Sequence, residues 1–556
     1  MIPTRLAPGV IAVFLFLTVG FAQVPQVTPP PQSTEQPHIQ PNFEVPVRPA
    51  PSAERVGVDM DNQLPLTLDQ AIEMALKNNN DIDASRNDSR ITDLSLKGAR
   101  GVYDPLLTAE NYYESLTTPT ASAIGGAVNG AVTQTRYFGS AGVNGFSPYQ
   151  GATYSALFNS SRTTTSNTNS FLNPQFPSSM IFTYSQPLWR NRRIDNNRRN
   201  IEIAKKNVNI SDSQLRLQAI AVVSGVEQAY WDLAFALRNL QIQTDALKQA
   251  KEQLESNKRL VRKGVLAPIE LVAANAQIST FEQSVFLSQE SVSRAENSLK
   301  TFVLPERTAS EWRRPLTPVT PIGLDVPRIG LEVAVAEALK NRPEIAQLET
   351  TAEINKIDQG FYRNQTKPQI DLVGTYTAQG LSGTETPAAI SPVTGLSRVP
   401  SNLVGGYFTS LGNLSAIDYP SYHLGVTIAL PWGNRIAKAN LGRSLVEADR
   451  IANTRAQTEQ IIEAEVRNAL QALRSAESRL ASAADARAAA EELYASEERQ
   501  FRAGTTTFYL VLQRQTDLSA ARGRELQART DLNKAISEFQ RSIGATLNVN
   551  NVTISK

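Results

Sequence analysis

The sequence predicts an α+β membrane protein built by internal duplication, in which β-strands of membrane-spanning length continue into long coiled-coil helices. Three observations carry this: the chain repeats itself, seven-residue apolar periods run over long stretches, and an export signal is followed by no apolar run long enough for a membrane helix. The repeat is plain residue by residue. Leu68, Ala71, Ala75, Leu76, Lys77, Asn78 and Ile82 recur as Leu331, Ala334, Ala338, Leu339, Lys340, Asn341 and Ile345, about 263 positions later. Pro105 and Tyr113 match Pro368 and Tyr376. The correspondence resumes at Pro187 and Pro431, then at Arg262, Gly264 and Ser279 against Arg502, Gly504 and Ser519. Such self-similarity means two like halves.

Bulk properties exclude several classes. Lys and Arg (55) nearly balance Asp and Glu (53), with no concentrated basic stripe, which argues against a nucleic-acid partner. The chain has no cysteine, hence no disulfide, thiolate metal site, thiol nucleophile or cysteine lipid anchor. The two histidines, His38 and His423, lie far apart and offer no metal site. No catalytic constellation is visible and no cofactor is expected.

At the N-terminus, Arg5, an apolar run from Val10 to Val19 and Gly20-Phe21-Ala22 before Gln23 form a signal peptide over 1–22. The run is shorter than the roughly 20 residues a membrane helix needs. A membrane-spanning part must therefore be a closed β-barrel.

A Pro-rich linker is expected over 23–63. The first repeat spans 64–304. It opens with a helix over 66–102, where Thr67 and Gln70 have capping-box spacing, and Pro105 stops it. Strands are expected at 106–115 and 179–188. Between them lies a Gly/Ser/Thr/Asn tract of about 60 residues, expected to form a long exposed loop. Over 191–262, Val226, Leu233, Leu240, Leu247, Leu254 and Val261 recur every seven residues. A second seam of Val222, Ala229, Ala236 and Ala250 is broken by Gln243. Two seams mean a helix packed on two sides. After Gly264 and Pro268 the heptad continues as Leu271, Ile278, Val285, Val292 and Leu299. A connector covers 305–328.

The second repeat, 329–547, has a helix at 331–365, strands at 369–378 and 422–431 around a loop, and a long helix over 434–503. Its heptads are interrupted by Arg487 in the long helix and by Glu525 in the last helix. A tail covers 548–556. At 1.5 Å per residue each long helix reaches about 100 Å, and the two shorter helices of each half match one long helix end to end. Four strands per chain cannot close a barrel, for which eight is the practical minimum, so the chain must oligomerise, most simply in a ring.

The chain resembles the TolC-like outer-membrane efflux protein family. The residues are TLDQAIEMALKNNNDI and its copy GLEVAVAEALKNRPEI, the strand exits Gln186-Pro187-Leu188-Trp189 and Leu430-Pro431-Trp432, and the turns VRKGVLAPIELV and FRAGTTTFYLVL. The resemblance implies a homotrimer with twelve barrel strands in the outer membrane, four per protomer, above a periplasmic α-helical barrel. It implies the passive exit duct of a tripartite efflux or type I secretion system, working with a periplasmic adaptor, an inner-membrane transporter and outer-membrane lipid. The alternative from another class is a structural periplasmic coiled-coil protein without a channel; strand alternation ending in Trp189 and Trp432 argues against it.

By the same resemblance, Gly264, Val265, Leu266, Gly504, Thr505 and Thr506 are adaptor-docking positions at the hairpin tips. The glycines equally serve as turns that end helices. Gate positions fall on Glu270, Leu510 and Gln513. Acidic residues that the family's best-known member places after the second turn are replaced here by Leu510 and Gln513. Glu270 also suits a solvated helix start. Trp189 and Trp432 are expected in a membrane-interface girdle, or as packing where strand becomes helix.

Overall fold

A computed structural model describes residues 54–121, 125–127, 129–321 and 326–554. The signal peptide and residues 23–53 of the expected linker lie outside the described residues. In chain order the elements are β1 (Leu64–Leu66), α1 (Leu68–Asn78), α2 (Asn80–Arg100), β2 (Leu106–Pro119), β3 (Ala131–Phe146), β4 (Thr153–Thr165), β5 (Leu172–Gln175), β6 (Ser178–Pro187), α3 (Asn196–Arg262) and α4 (Ile269–Val303). The second half follows as β7 (Leu316–Pro318), α5 (Leu331–Asn341), α6 (Pro343–Gln365), β8 (Gln369–Gly380), β9 (Gly383–Glu385), α7 (Tyr407–Ala416), β10 (Tyr419–Ala429), α8 (Arg435–Arg502), α9 (Phe508–Ser542) and α10 (Thr546–Val549).

Thr67 and Gln70 close a reciprocal capping box at the start of α1. The single helix expected at 66–102 is two, because Asn79 turns extended (ψ 123°) and caps α2 through its side chain. The second copy breaks at the equivalent Arg342 (ψ 127°), since Pro343 disfavours helical backbone in the residue before it.

The helices form two antiparallel hairpins, α3 with α4 and α8 with α9, joined along α3 and α9. Val226, Leu233, Leu247 and Leu254 are buried on one seam of α3, and Val222, Ala229, Ala236 and Ala250 on the other. The short helices stack end to end beside the long ones. Asn78 and Asn79 donate to the carbonyls of Val303 and Phe302 at the end of α4. Tyr230 lies fully buried beneath the small parallel pair of β1 and β7. Its hydroxyl donates to the Leu66 carbonyl (2.9 Å) and accepts from the Thr320 amide (3.0 Å). Arg55 pairs with the buried Glu296 of α4, tying the chain just before β1 to the same region.

The sheet corrects the expected strand count. Six long strands run in the order β10-β8-β6-β4-β3-β2, antiparallel at every step, with β5 and β9 as short additions at one end. Four were expected per protomer. The extra pair, β3 and β4, occupies about half of the tract expected to be a loop. Cross-strand partners share a face, so registers sort the side chains. One face carries Leu107, Tyr113, Tyr137, Val143, Tyr154, Phe158, Met180, Phe182, Leu372, Tyr376, Tyr422, Leu424, Val426 and Ile428. The other carries Glu110, Glu114, Gln134, Arg136, Asn159, Thr183, Asp371, Thr375 and His423, interspersed with Tyr112, Phe138, Leu157, Ile181 and Val373. Of the charged residues in these six strands, only Arg162 falls on the apolar face, near the loop end of β4.

Candidate functional site

The two tips at the far end of the hairpins from the sheet have the same backbone plan. Gly264 and Gly504 adopt φ of 73° and 76°. The amide of Gly264 donates to Val261 (2.9 Å) and that of Val265 to Leu260 (3.0 Å); Gly504 and Thr505 repeat the pattern on Phe501 and Gln500 (both 3.0 Å). This is a Schellman ending, in which a left-handed residue lets the chain satisfy the last helical carbonyls. No atom lies within 4 Å of where either glycine's Cβ would sit, so their backbone conformation alone accounts for them.

The tips differ in their side chains. The first exposes Val265, Ile269 and Val272, with Leu266 half-buried. The second exposes Thr505, half-buries Thr506, and exposes Tyr509 and Leu510 at the start of α9. Thr505 Oγ1 donates to the Gln500 carbonyl (3.1 Å), and Thr506 Oγ1 donates to Glu497. Phe508 and Leu512 of the second hairpin pack with Ala274, Ile278 and Phe281 of the first, so the tips stand side by side. Glu270, in the first turn of α4, is half-buried, and Gln513 is exposed on α9. Glu270 thus lies on the first hairpin, and Leu510 and Gln513 on the second.

At the opposite end, β6 passes to α3 and β10 to α8 through matching turns. Asn191 and Asn434 take left-handed backbone (φ 65° and 43°). Asn434 Nδ2 reaches the carbonyls of Gln365 and Thr366 (both 3.2 Å), and the Asn191 amide donates to Asn364 Oδ1 (2.7 Å). Trp189 is half exposed and Trp432 fully exposed at these turns.

The heptad interruptions at Arg487 and Glu525 face each other. Arg487 Nε meets Glu525 Oε2 at 2.7 Å, and its other arm reaches Glu491 (2.7 Å). Arg529 also pairs with Glu525, and Arg522 with Glu491. The two polar breaks in adjacent seams thus mark one ion-pair network between α8 and α9. Their matching depth in the two seams was a legible signal. Among the described residues, no group of three or more His, Asp or Glu is placed to hold a metal ion, and no helix is long and apolar enough to cross a membrane.

A six-strand sheet with one apolar and one polar face, continuous with paired helical rods about 100 Å long, defines the outer-membrane channel class of fold. The model of the outer membrane efflux protein family matches residues 153–303 and 334–545, more than half of the chain, and the protein belongs to that family. Solved structures agree on the fold. The CmeC outer membrane channel of Campylobacter jejuni aligns at 15% identity over 91% of this chain and 94% of that one, with a TM-score of 0.59. The outer-membrane channel OprN aligns at 17% identity over 91% and 98%, with a TM-score of 0.57. The MtrE channel of Neisseria gonorrhoeae in its open state aligns at 16% identity, again over 91% and 98%, with a TM-score of 0.57. A search of curated protein sequences returns no match. The protein is an outer-membrane channel with its helical part in the periplasm.

Proposed function

We propose that the protein is the passive exit duct of a tripartite efflux or type I secretion system. The observation that carries this reading is the two-faced sheet with unpaired outer edges on β2 and β10, joined to hairpins that end in exposed tips. Unpaired strand edges are untenable in hydrocarbon, so the sheet must close with other copies; a homotrimer is the ring the family implies. Outer-membrane lipid covers the apolar face and water fills the polar one. The duct uses no cofactor and catalyses nothing. An inner-membrane transporter supplies the driving force, and a periplasmic adaptor binds the tips through Val265 and Leu266 on one hairpin and Thr505 and Thr506 on the other. Gly264 and Gly504 shape both tips. In the trimer, Glu270, Leu510 and Gln513 stand around the periplasmic entrance, where a ring of Glu270 carboxylates favours cations.

Crosslinking in intact cells from a photoreactive residue at Leu266 or Thr506 tests the docking. Capture of a periplasmic adaptor is expected. Capture of nothing periplasmic from either tip overturns the tripartite reading.

A further inference from the structure

Strands β3 and β4 have no counterpart in the second half, where β8 and β10 pair directly. We propose that they are structural wall strands, so that each protomer supplies six strands and the trimer closes an eighteen-stranded barrel. The family resemblance implies twelve. This inference rests on the channel reading above.

Four observations support it. Length is the first: β3 has 16 residues and β4 has 13, against the roughly 9–11 that cross a membrane. Pairing is the second. β2 pairs with β3 along its whole length, β3 with β4, and β4 with β6, whereas β2 and β6 are not neighbours. Alternation is the third: Tyr137, Ala141, Val143, Tyr154, Ala156 and Phe158 share the apolar face with Arg162 near its end, while Gln134, Arg136, Ser140, Asn144, Asn159 and Thr163 share the more polar one, with Phe138 and Leu157 among them.

The fourth is how the pair is fitted in. A Cβ at Gly139 would lie 2.8 Å from Asn111 of β2, one at Gly142 2.9 Å from Leu157, and one at Gly145 2.7 Å from Tyr154 of β4. These glycines make room for side chains of both neighbouring strands. The turn between β3 and β4 is seated on the base of the sheet. Gln186 Nε2 donates to the Gln150 carbonyl (3.0 Å), and a Cβ at Gly151 would stand 2.6 Å from the Asn191 carbonyl oxygen, beside the start of α3. A pair of strands that merely decorated the cell surface would need neither feature.

The six strands alternate in direction, so β2 and β10 run oppositely, and three copies close with antiparallel pairing throughout. With strands about 4.8 Å apart and tilted about 40°, twelve give a backbone diameter of about 24 Å and eighteen about 36 Å. Barrels of that strand number hold open aqueous channels. The narrowest point for cargo then lies at the helical tips, and the membrane end admits bulky or polymeric solutes.

Cryo-electron microscopy of the full-length trimer in lipid nanodiscs counts the strands. Eighteen are expected. Twelve, with residues 131–165 outside the wall, overturn the inference and leave the channel reading intact; a particle with no barrel overturns both. The absence of native cysteine permits a second test in outer membranes. The row Leu107, Val143, Ala156, Phe182 runs straight across four strands. Paired cysteines from Ala156→Cys and Phe182→Cys should crosslink within a protomer. Those from Leu107→Cys and Phe182→Cys, three strand spacings or about 14 Å apart, should not. The reverse pattern overturns the proposal.

Discussion

Two adjacent substitutions at the midpoint of β10, Leu424→Arg and His423→Arg, test which face of the sheet meets lipid. β10 has 11 residues, and Leu424 stands five from either end. At about 3.3 Å per residue and a tilt of about 40°, the strand rises about 28 Å, which sets residues 423 and 424 near the middle of the hydrocarbon layer. Leu424 belongs to the apolar face and is 77% exposed in the single protomer. Arginine there costs about 2–4 kcal/mol, and the trimer carries it three times, for a total of about 6–12 kcal/mol. His423 lies opposite Thr375 on the polar face, where arginine meets water and changes stability by less than about 0.5 kcal/mol. Urea unfolding from lipid vesicles, followed by tryptophan fluorescence, measures both. A loss confined to Leu424→Arg is expected. A His423→Arg variant damaged as much as Leu424→Arg would mean that the faces are assigned backwards.

Three further outcomes are expected. Gly264→Ala and Gly504→Ala meet no steric obstacle and should each cost about 1–2 kcal/mol of left-handed strain; amide exchange should rise only at the substituted tip, and a trimer-wide rise would contradict the local origin. Glu525→Ala removes ion pairs to Arg487 and Arg529 and should lower the unfolding temperature, whereas Arg487→Leu with Glu525→Leu restores an apolar seam and should recover it in thermal unfolding; a double variant weaker than the single one would show the network to be indispensable. Burial holds the carboxyl of Glu227 above its ordinary range, despite hydrogen bonds from Ser537 and Asn550. The folded state therefore keeps its proton longer than the unfolded state. Stability should fall as pH rises from the ordinary carboxylate range through the raised value, and Glu227→Gln should flatten that slope in unfolding measured against pH; an unchanged slope would place its cause elsewhere.

The helical part of the fold was legible because its signals are local. Leu233 and Leu254 recur at a fixed period in one helix, and both are buried where that period places them. Chain ends of helices were legible less well. The break at Asn79 was hidden, since asparagine suits a cap and a helix surface alike; the equivalent break was missed as well, inside the single helix expected at 331–365, although Pro343 marks it. Strands β3 and β4 were missed for a different reason. The positions on their more polar face hold Ser140, Ser155, Asn159 and Thr163, the residue types of loops, and those on the other face mix Tyr137, Val143 and Phe158 with glycine and threonine. Barrel strands give weak alternation because half their residues face a wet interior. The pairing of β1 with β7 joins Leu64 to Leu316, too far apart in sequence for any local pattern to reveal. At the tips the glycines were readable as turns, but the packing of Phe508 and Leu512 against the other hairpin required the fold.

Single-channel recording in planar lipid bilayers, with trimer extracted from outer membranes, tests the duct most directly. Discrete, reproducible conductance steps that grow when the tips are truncated or opened are predicted, because the proposed duct is narrowest at its helical end. A protein that fractionates with the soluble periplasm and gives no conductance in any form would contradict the duct.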